Sequence, residues 1–509
     1  MDSSDGPTPP TPSHRALVLQ GVAWTALFQV FQIAVQFGSM IVLVRIIPPV
    51  EYGRVSAVLS FLVVLNAFSC ANFMAQGLQL PEGEEPDWTA HFRAGLYLQL
   101  GLSAAAHLIA GVLWLSEYYR PIAPLLHVGA VGLLVDWPSQ LRQAMLRREM
   151  NFRRYRIVLA VATLCGTAVN IGFGVAGFGA FAIVLGSNVT PAIPFALDLL
   201  LVRRWRPRAG WWRWPDWRTY RPALHFGVQQ AGGALLAASK GVVTAAVLPP
   251  SLGLIAMGLL NRAQGLLGTT VGRVQAMLIE TVYPLLPRYA ADRARYPRQA
   301  TLFAKALMWI VMPATIFLGI AGPQVSHLLY GQKWIAVDPL LGPAAAASLG
   351  ILVASIGGGV LLAAGRLRVC FMLSVLGALL TLPMVSVVAL GGGLSAYAWT
   401  QGICQGIAGV VALWAARQYL SPGWLGSVVL PPACASGCAA VATVAVDQIV
   451  EGLPLGVRVG ALVAVFGAVV TLVLRVGFAR ELAPVVSRLP GGARLTRWLR
   501  LDGQVEHGA

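Results

Sequence analysis

Charge is scarce in this 509-residue chain: Asp, Glu, Lys and Arg make up 11% of it, against 57% hydrophobic residues. Mean hydropathy is +0.70. A soluble fold of this length cannot bury so much apolar surface, so the composition is that of a polytopic membrane protein. Acidic residues are the scarcest charges, 20 against 37 basic, for a net charge of +17. In a soluble domain that imbalance would suggest nucleic acid. Here the arginines cluster in short loops between apolar runs, so membrane topology accounts for them and no nucleic-acid partner is expected. Cysteine is also sparse. The six, at positions 70, 165, 370, 404, 434 and 438, all lie in apolar runs without metal-ligand spacing. That excludes a disulfide framework and a cysteine-held metal. A Walker A motif, a Gly-rich dinucleotide loop and paired carboxylates on a loop are all missing, so no enzyme activity, cofactor or direct ATP use is expected. No outer loop exceeds about 14 residues, which leaves no external domain to hold a catalytic site. Residues 1–14 are rich in Pro, Ser and Thr and read as a disordered cytoplasmic N-terminus rather than a signal peptide.

What is present is a series of apolar runs long enough to cross a bilayer. Fourteen spans are predicted, at about 17–46, 54–79, 93–115, 123–146, 156–176, 178–202, 222–248, 251–285, 300–321, 337–363, 368–391, 394–417, 425–446 and 456–477. Each meets the roughly 20 residues that a 30 Å hydrocarbon core requires. With a cytoplasmic N-terminus, 29 of the 37 Lys and Arg fall on cytoplasmic loops, tails and helix ends. Arg45, Arg54, Arg120, Lys333 and Arg458 fall outside, and Lys240, Arg262 and Arg273 fall inside spans. That asymmetry predicts both termini inside. The acidic stretch 80–92 is assigned to the cytoplasm despite its charge, because acidic residues weigh little in the rule.

The fold class expected is all-α and polytopic, in two six-helix bundles with two additional helices. The divisions are 15–202, 222–420 and 421–478, with a basic cytoplasmic tail at 479–509. The link 203–221 holds five tryptophans and seven arginines and reads as an interfacial belt on anionic headgroups. A duplication is suggested by IIPPVEYG (46–53) and VLPPSLG (247–253), 201 residues apart.

The stretch 221–287 carries the most informative charges. A charge at the bilayer centre costs about 2.5–3.5 kcal/mol on insertion scales, so such charges usually face a bundle interior or watery cavity. The steps from Arg262 to Arg273 and from Arg273 to Glu280 return within roughly 20° of one helix face, which predicts a charged stripe. Arg273 and Glu280 alternatively snorkel to headgroups. Arg262 lies about 18 Å from the outer helix end, too deep to snorkel, and is expected to line a cavity. Gln29, Gln32 and Gln36 share a face of the first span, either as part of a substrate site or as glue between helices. Asp136 takes part in ion coupling or pairs with Arg142. Asp198 pairs with Arg203, and His107 and His127 are lone structural histidines.

Five stretches in order carry a resemblance: LVRIIPPVEYGRVSAVLSF (43–61), PSQLRQAMLRREMNFRRYR (138–156), LGLIAMGLLNRAQGLL (252–267), VYPLLPRYAAD (282–292) and LLYGQKWIAVDPLL (328–341). Together they resemble the bacterial polysaccharide flippases, the polysaccharide transport branch of the multidrug/oligosaccharidyl-lipid/polysaccharide exporter superfamily. The resemblance covers roughly residues 15–420. It implies two bundles around a central cavity, alternately open to each side. The implied substrate is an oligosaccharide on undecaprenyl diphosphate, passed to the outer leaflet of a bacterial plasma membrane for exopolysaccharide, capsule or O-antigen. Membrane lipids, a polysaccharide polymerase and export machinery are the implied partners. A lipid diphosphate is an anion, so Lys240, Arg262 and Arg273 are the expected substrate contacts, extended by Arg45 and Arg142. Glu280 and Asp136 are the candidates for H+ or Na+ coupling. A cation-coupled drug exporter, a membrane-embedded polysaccharide-assembly enzyme and a flippase of peptidoglycan precursor are the alternatives. The basic character of the deep charges argues against the first, and the short outer loops argue against the second.

Overall fold

A computed structural model describes residues 14–78, 84–149, 151–201, 207–479 and 481. Residues 1–13, the first four residues of the acidic stretch (80–83), Arg203 with its expected partnership to Asp198, and most of the basic tail lie outside the described residues. Those described are helical, with no strand among them. The chain divides into two units, one of residues up to 43 and 62–232, the other of 44–61 and 233 onward.

The first unit holds α1 (His14–Ile46) up to Leu43, the end of α2 (Pro49–Asn66), α3 (Cys70–Leu78), α4 (Trp88–Trp114), α5 (Ala123–Arg148), α6 (Phe152–Val175), α7 (Ala180–Leu201) and the start of α8 (Arg221–Thr269). Two helix starts are set by side-chain caps. Asp87 accepts from the N–H groups of Thr89 and Ala90 at the head of α4, and Asn151 accepts from that of Arg154 at the head of α6. α4 and α5 form an antiparallel hairpin. Gly95 faces the Trp137 ring, whose Nε1 donates to the Phe92 carbonyl at 2.9 Å, and Ser103 donates to the Ala130 carbonyl at 2.9 Å. Small residues let polar side chains enter between helices: Gly132 faces Asn188, whose Nδ2 donates to the Val128 carbonyl at 2.7 Å. The link after α7 lies along the first turns of α4. Trp211 meets Phe92 with ring centroids 5.4 Å apart, and Tyr97 donates to the Trp212 carbonyl at 2.7 Å.

The second unit holds the start of α2, the rest of α8, α9 (Val271–Val282), α10 (Tyr296–Ile320), α11 (Gly322–Tyr330), α12 (Asp338–Ala363), α13 (Leu367–Leu379), α14 (Leu382–Ala389), α15 (Leu394–Ala416), α16 (Leu430–Ile449) and α17 (Leu455–Gly477). α12 and α15 approach at backbone distance, because Gly350 and Gly357 face α15 while Gly402 and Gly409 face α12. α16 packs on both α10 and α17.

α8 is two helices joined at Gly253, which is non-helical at φ 82° and ψ 165°. Thr244 meets Tyr397 and Gln264 meets Gln401, each at 2.7 Å. Along one straight helix Thr244 and Gln264 would be about 30 Å apart, whereas Tyr397 and Gln401 are about 6 Å apart on α15. The chain therefore doubles back at Gly253, just after Pro249-Pro250. The two double-proline turns meet in this unit. A Cβ on Gly53 would strike the Leu254 carbonyl, and one on Gly258 would strike that of Pro49.

Twelve helices among the described residues are long and apolar enough to cross a membrane, with α8 counted once and α15 not among them. The fourteen predicted spans differ from this in three further places. The second span breaks after Asn66 into α2 and α3. The eleventh is two short helices, α13 and α14. The predicted 251–285 span ends at Thr269, with α9 following after Thr270 at φ −102° and ψ −87°.

Candidate functional site

The break at Thr270 corrects the expected stripe. Arg262 lies on α8, whereas Arg273 and Glu280 lie on α9. A 3.6-residue register cannot be carried across a non-helical residue, so the three do not share one continuous helix face. The hydroxyls of Thr269 and Thr270 bond back to the carbonyls of Gly265 and Leu266 at 2.7 and 2.6 Å, a competing pattern that bends helices. Arg273 is half-buried and Glu280 exposed.

Arg262 is half-buried, and its guanidinium lies over the Tyr52 ring at 4.2 Å from the centroid. Nε and Nη2 donate to Asn261 Oδ1 at 3.2 and 2.5 Å. Tyr330 donates to the Arg262 carbonyl at 3.4 Å, and Trp334 closes the aromatic group against Tyr52, ring centroids 5.5 Å apart. No carboxylate pairs with Arg262 among the described residues. Its charge is therefore held by a π face and an amide, not neutralised.

Lys240 is half-buried one turn before Thr244, which bonds to the fully buried Tyr397. Among the described residues the Lys240 ammonium has no hydrogen-bond or ion-pair partner. The Gln264–Gln401 bond continues this polar seam between α8 and α15. Among the described residues, Lys240 and Arg262 are thus cations on membrane-crossing α8 without acidic partners, beside hydroxyl and amide groups suited to a polar anion.

Arg45 is exposed and already engaged. It donates to the carbonyls of Leu328 and Leu329 at 2.8 and 3.1 Å, near the end of α11, where orphan carbonyls attract cations. Lys333 donates to the Arg45 carbonyl at 2.6 Å, so this corner is a clasp.

The remaining expected residues lie in the first unit. Gln29, Gln32 and Gln36 are half-buried on α1. Asp136 accepts from Gln140 Nε2 at 2.9 and 3.1 Å, while Arg142 Nη1 lies 3.8 Å from the Met145 sulfur. His107 and His127 are not lone. Their Nδ1 atoms lie 2.7 Å apart and the rings stack, because the α4–α5 hairpin brings them level.

Sequence reasoning missed Tyr330, Trp334, Tyr397 and Gln401. Tyr52 was visible only as the aromatic position of a motif. The adjacent Gly53 was the available signal, since a glycine kept beside a double proline marks a close backbone approach.

An all-helical chain with unneutralised cations on membrane-crossing helices is a multi-pass membrane protein of the transporter kind. The family described as "Polysaccharide biosynthesis protein" matches residues 42–339, and the chain belongs to it. The lipopolysaccharide biosynthesis protein WzxC of Escherichia coli (strain K12) is 21% identical over 387 residues, 73% of this chain and 75% of that protein. The succinoglycan biosynthesis transport protein ExoT of Rhizobium meliloti (strain 1021) is 22% identical over 338 residues, 65% and 66% of the two chains. The lipid II flippase MurJ, in an inward closed conformation, shares the fold. Its TM-score is 0.68 at 11% identity, covering 90% of this chain and 99% of that one.

Proposed function

We propose that the protein moves oligosaccharide repeat units linked to undecaprenyl diphosphate from the inner to the outer leaflet of a bacterial plasma membrane, by alternating access. It transports its substrate without making or breaking covalent bonds. Both termini are cytoplasmic, and a polysaccharide polymerase and export machinery take up the product. Membership of the polysaccharide biosynthesis family and relatives named for transport and for lipopolysaccharide support this reading.

The observation that carries it is Lys240. An ammonium at membrane depth without a partner costs about 2.5–3.5 kcal/mol. A substrate diphosphate recovers that cost, and the hydroxyls and amides of the adjacent seam suit its sugars. Arg262 adds a second positive charge, and Arg273 contributes further along the chain. Coupling to H+ or Na+ falls to Asp136 and Glu280.

The test uses a strain lacking the protein, complemented with variants. Lys240→Met is expected to abolish surface polysaccharide and leave lipid-linked repeat units accumulating in the inner leaflet, with membrane insertion unchanged. Lys240→Arg is expected to restore export. Full export by Lys240→Met would refute the assignment of this residue.

A further inference from the structure

A second polar site lies in the first unit, independent of the seam. A cavity of about 290 Å³ is lined by Asp87, His91 and Arg93 of the α4 end and by Asp216, Thr219 and Tyr220 of the link. It is at the lower edge of the roughly 300–1,000 Å³ of small-molecule sites, so it suits a headgroup rather than an oligosaccharide.

Its charges are committed unequally. His91 Nδ1 is bonded to the Tyr220 hydroxyl at 2.7 Å. Both oxygens of Asp216 are in use: Oδ2 accepts from the Thr219 hydroxyl at 2.7 Å, and Oδ1 from the N–H groups of Arg218 and Thr219 at 3.1 and 3.5 Å. Those bonds hold its carboxyl below the usual carboxylate range, so it is ionised at neutral pH. Asp87 uses only Oδ1, to cap α4. Arg93 has no hydrogen-bond or ion-pair partner among the described residues, and its Nε is buried. Arg93 and Asp87 therefore line one cavity without pairing. They are six residues apart on or at the head of one helix, about 9 Å along its axis.

An open guanidinium and open carboxylate oxygen, held apart in one cavity, match a ligand carrying both charges. A diphosphate or a simple anionic headgroup would meet two carboxylates and one arginine, which disfavours it. The surroundings indicate where the ligand comes from. The Trp88 ring lies tilted against His91 with centroids 5.8 Å apart, Trp217 packs against Tyr220, and Trp212 and Trp214 are 57% and 69% exposed beside the start of a membrane-crossing helix. Indoles so placed mark the headgroup layer.

We infer that this cavity binds the phosphoethanolamine headgroup of a membrane phospholipid, phosphate on Arg93 and ammonium on Asp87 and Asp216, and so anchors the link at the bilayer surface.

The test is native mass spectrometry of the full chain, released from micelles containing equal phosphatidylethanolamine, phosphatidylcholine and phosphatidylglycerol. The wild type is expected to retain phosphatidylethanolamine preferentially, since a trimethylated ammonium cannot donate to the carboxylates and phosphatidylglycerol has no cation. Arg93→Met is expected to lower its retention about tenfold, the worth of a charged hydrogen bond. Asp87→Asn keeps the cap, because an amide oxygen accepts the same bonds, and is expected to erase the preference over phosphatidylglycerol. Equal retention of all three lipids by the wild type would overturn the inference, as would undiminished phosphatidylethanolamine retention in both variants. Displacement of the lipid by millimolar soluble phosphoethanolamine would assign the cavity to a free metabolite and overturn the lipid as occupant.

Discussion

The deep arginine is positioned by a tyrosine 210 positions away in the chain. Arg262 over the buried Tyr52 ring is a cation–π contact, worth about 0.5–2 kcal/mol depending on desolvation. Tyr52→Phe keeps the ring face and is expected to leave the melting temperature of the purified protein nearly unchanged. Tyr52→Leu removes that face and is expected to lower it by several degrees. Equal effects of the two would show that the ring face contributes nothing. The depth of Arg262 was legible because an apolar run surrounds it, but its partner was not, since periodicity pairs only residues on one helix. The histidines differ in this respect. Gly95–Trp137, Ser103–Ala130 and His107–His127 are contacts centred on one turn, so folding the predicted hairpin on itself would have paired them.

Between elements, glycine spacing carries the packing. Gly357 and Gly358 are neighbours on α12 with opposite surroundings. A Cβ on Gly357 would lie 2.5 Å from the Ala412 backbone carbonyl, whereas one on Gly358 would meet nothing within 4 Å. Gly357→Ala must push α15 away, an overpacking cost of about 1–3 kcal/mol. Gly358→Ala fills open space and gains up to about 1 kcal/mol of helix propensity. The first is expected to lower and the second to hold or raise the melting temperature, and the reverse order would contradict the packing described. The double-proline turns were legible as a repeat, but their contact was not. Sequence shows that two segments are alike, and only packing shows that Gly53 and Gly258 interlock. The break at Thr270 was hidden because its neighbours remain apolar, and hydropathy does not register a threonine hydroxyl taking a helix carbonyl.

Across the whole molecule, the sidedness of the C-terminal part depends on one helix. Among the described residues twelve elements qualify as crossings by length and apolarity, and α8 supplies two because it reverses at Gly253, so α15 decides between an odd and an even total. The charge asymmetry favours an even total: with α15 crossing, 29 cationic residues are expected on one side against five on the other. α15 falls short in apolarity because it carries Gln401 and Gln405, yet Gln401 is 2% exposed and bonded to Gln264. A helix enclosed by neighbours need not be apolar on its protected face, so hydropathy undercounts it. α15 is therefore expected to cross. Alkaline phosphatase fused after residue 117 or 452 should be active, and after 149, 365, 421 or 509 inactive. If α15 does not cross, the three positions before it keep their activities while fusions at 421 and 509 become active and 452 falls silent. That pattern would also place the basic tail on the outer face, against the charge asymmetry, and would remove the orientation assumed for a substrate carried outward.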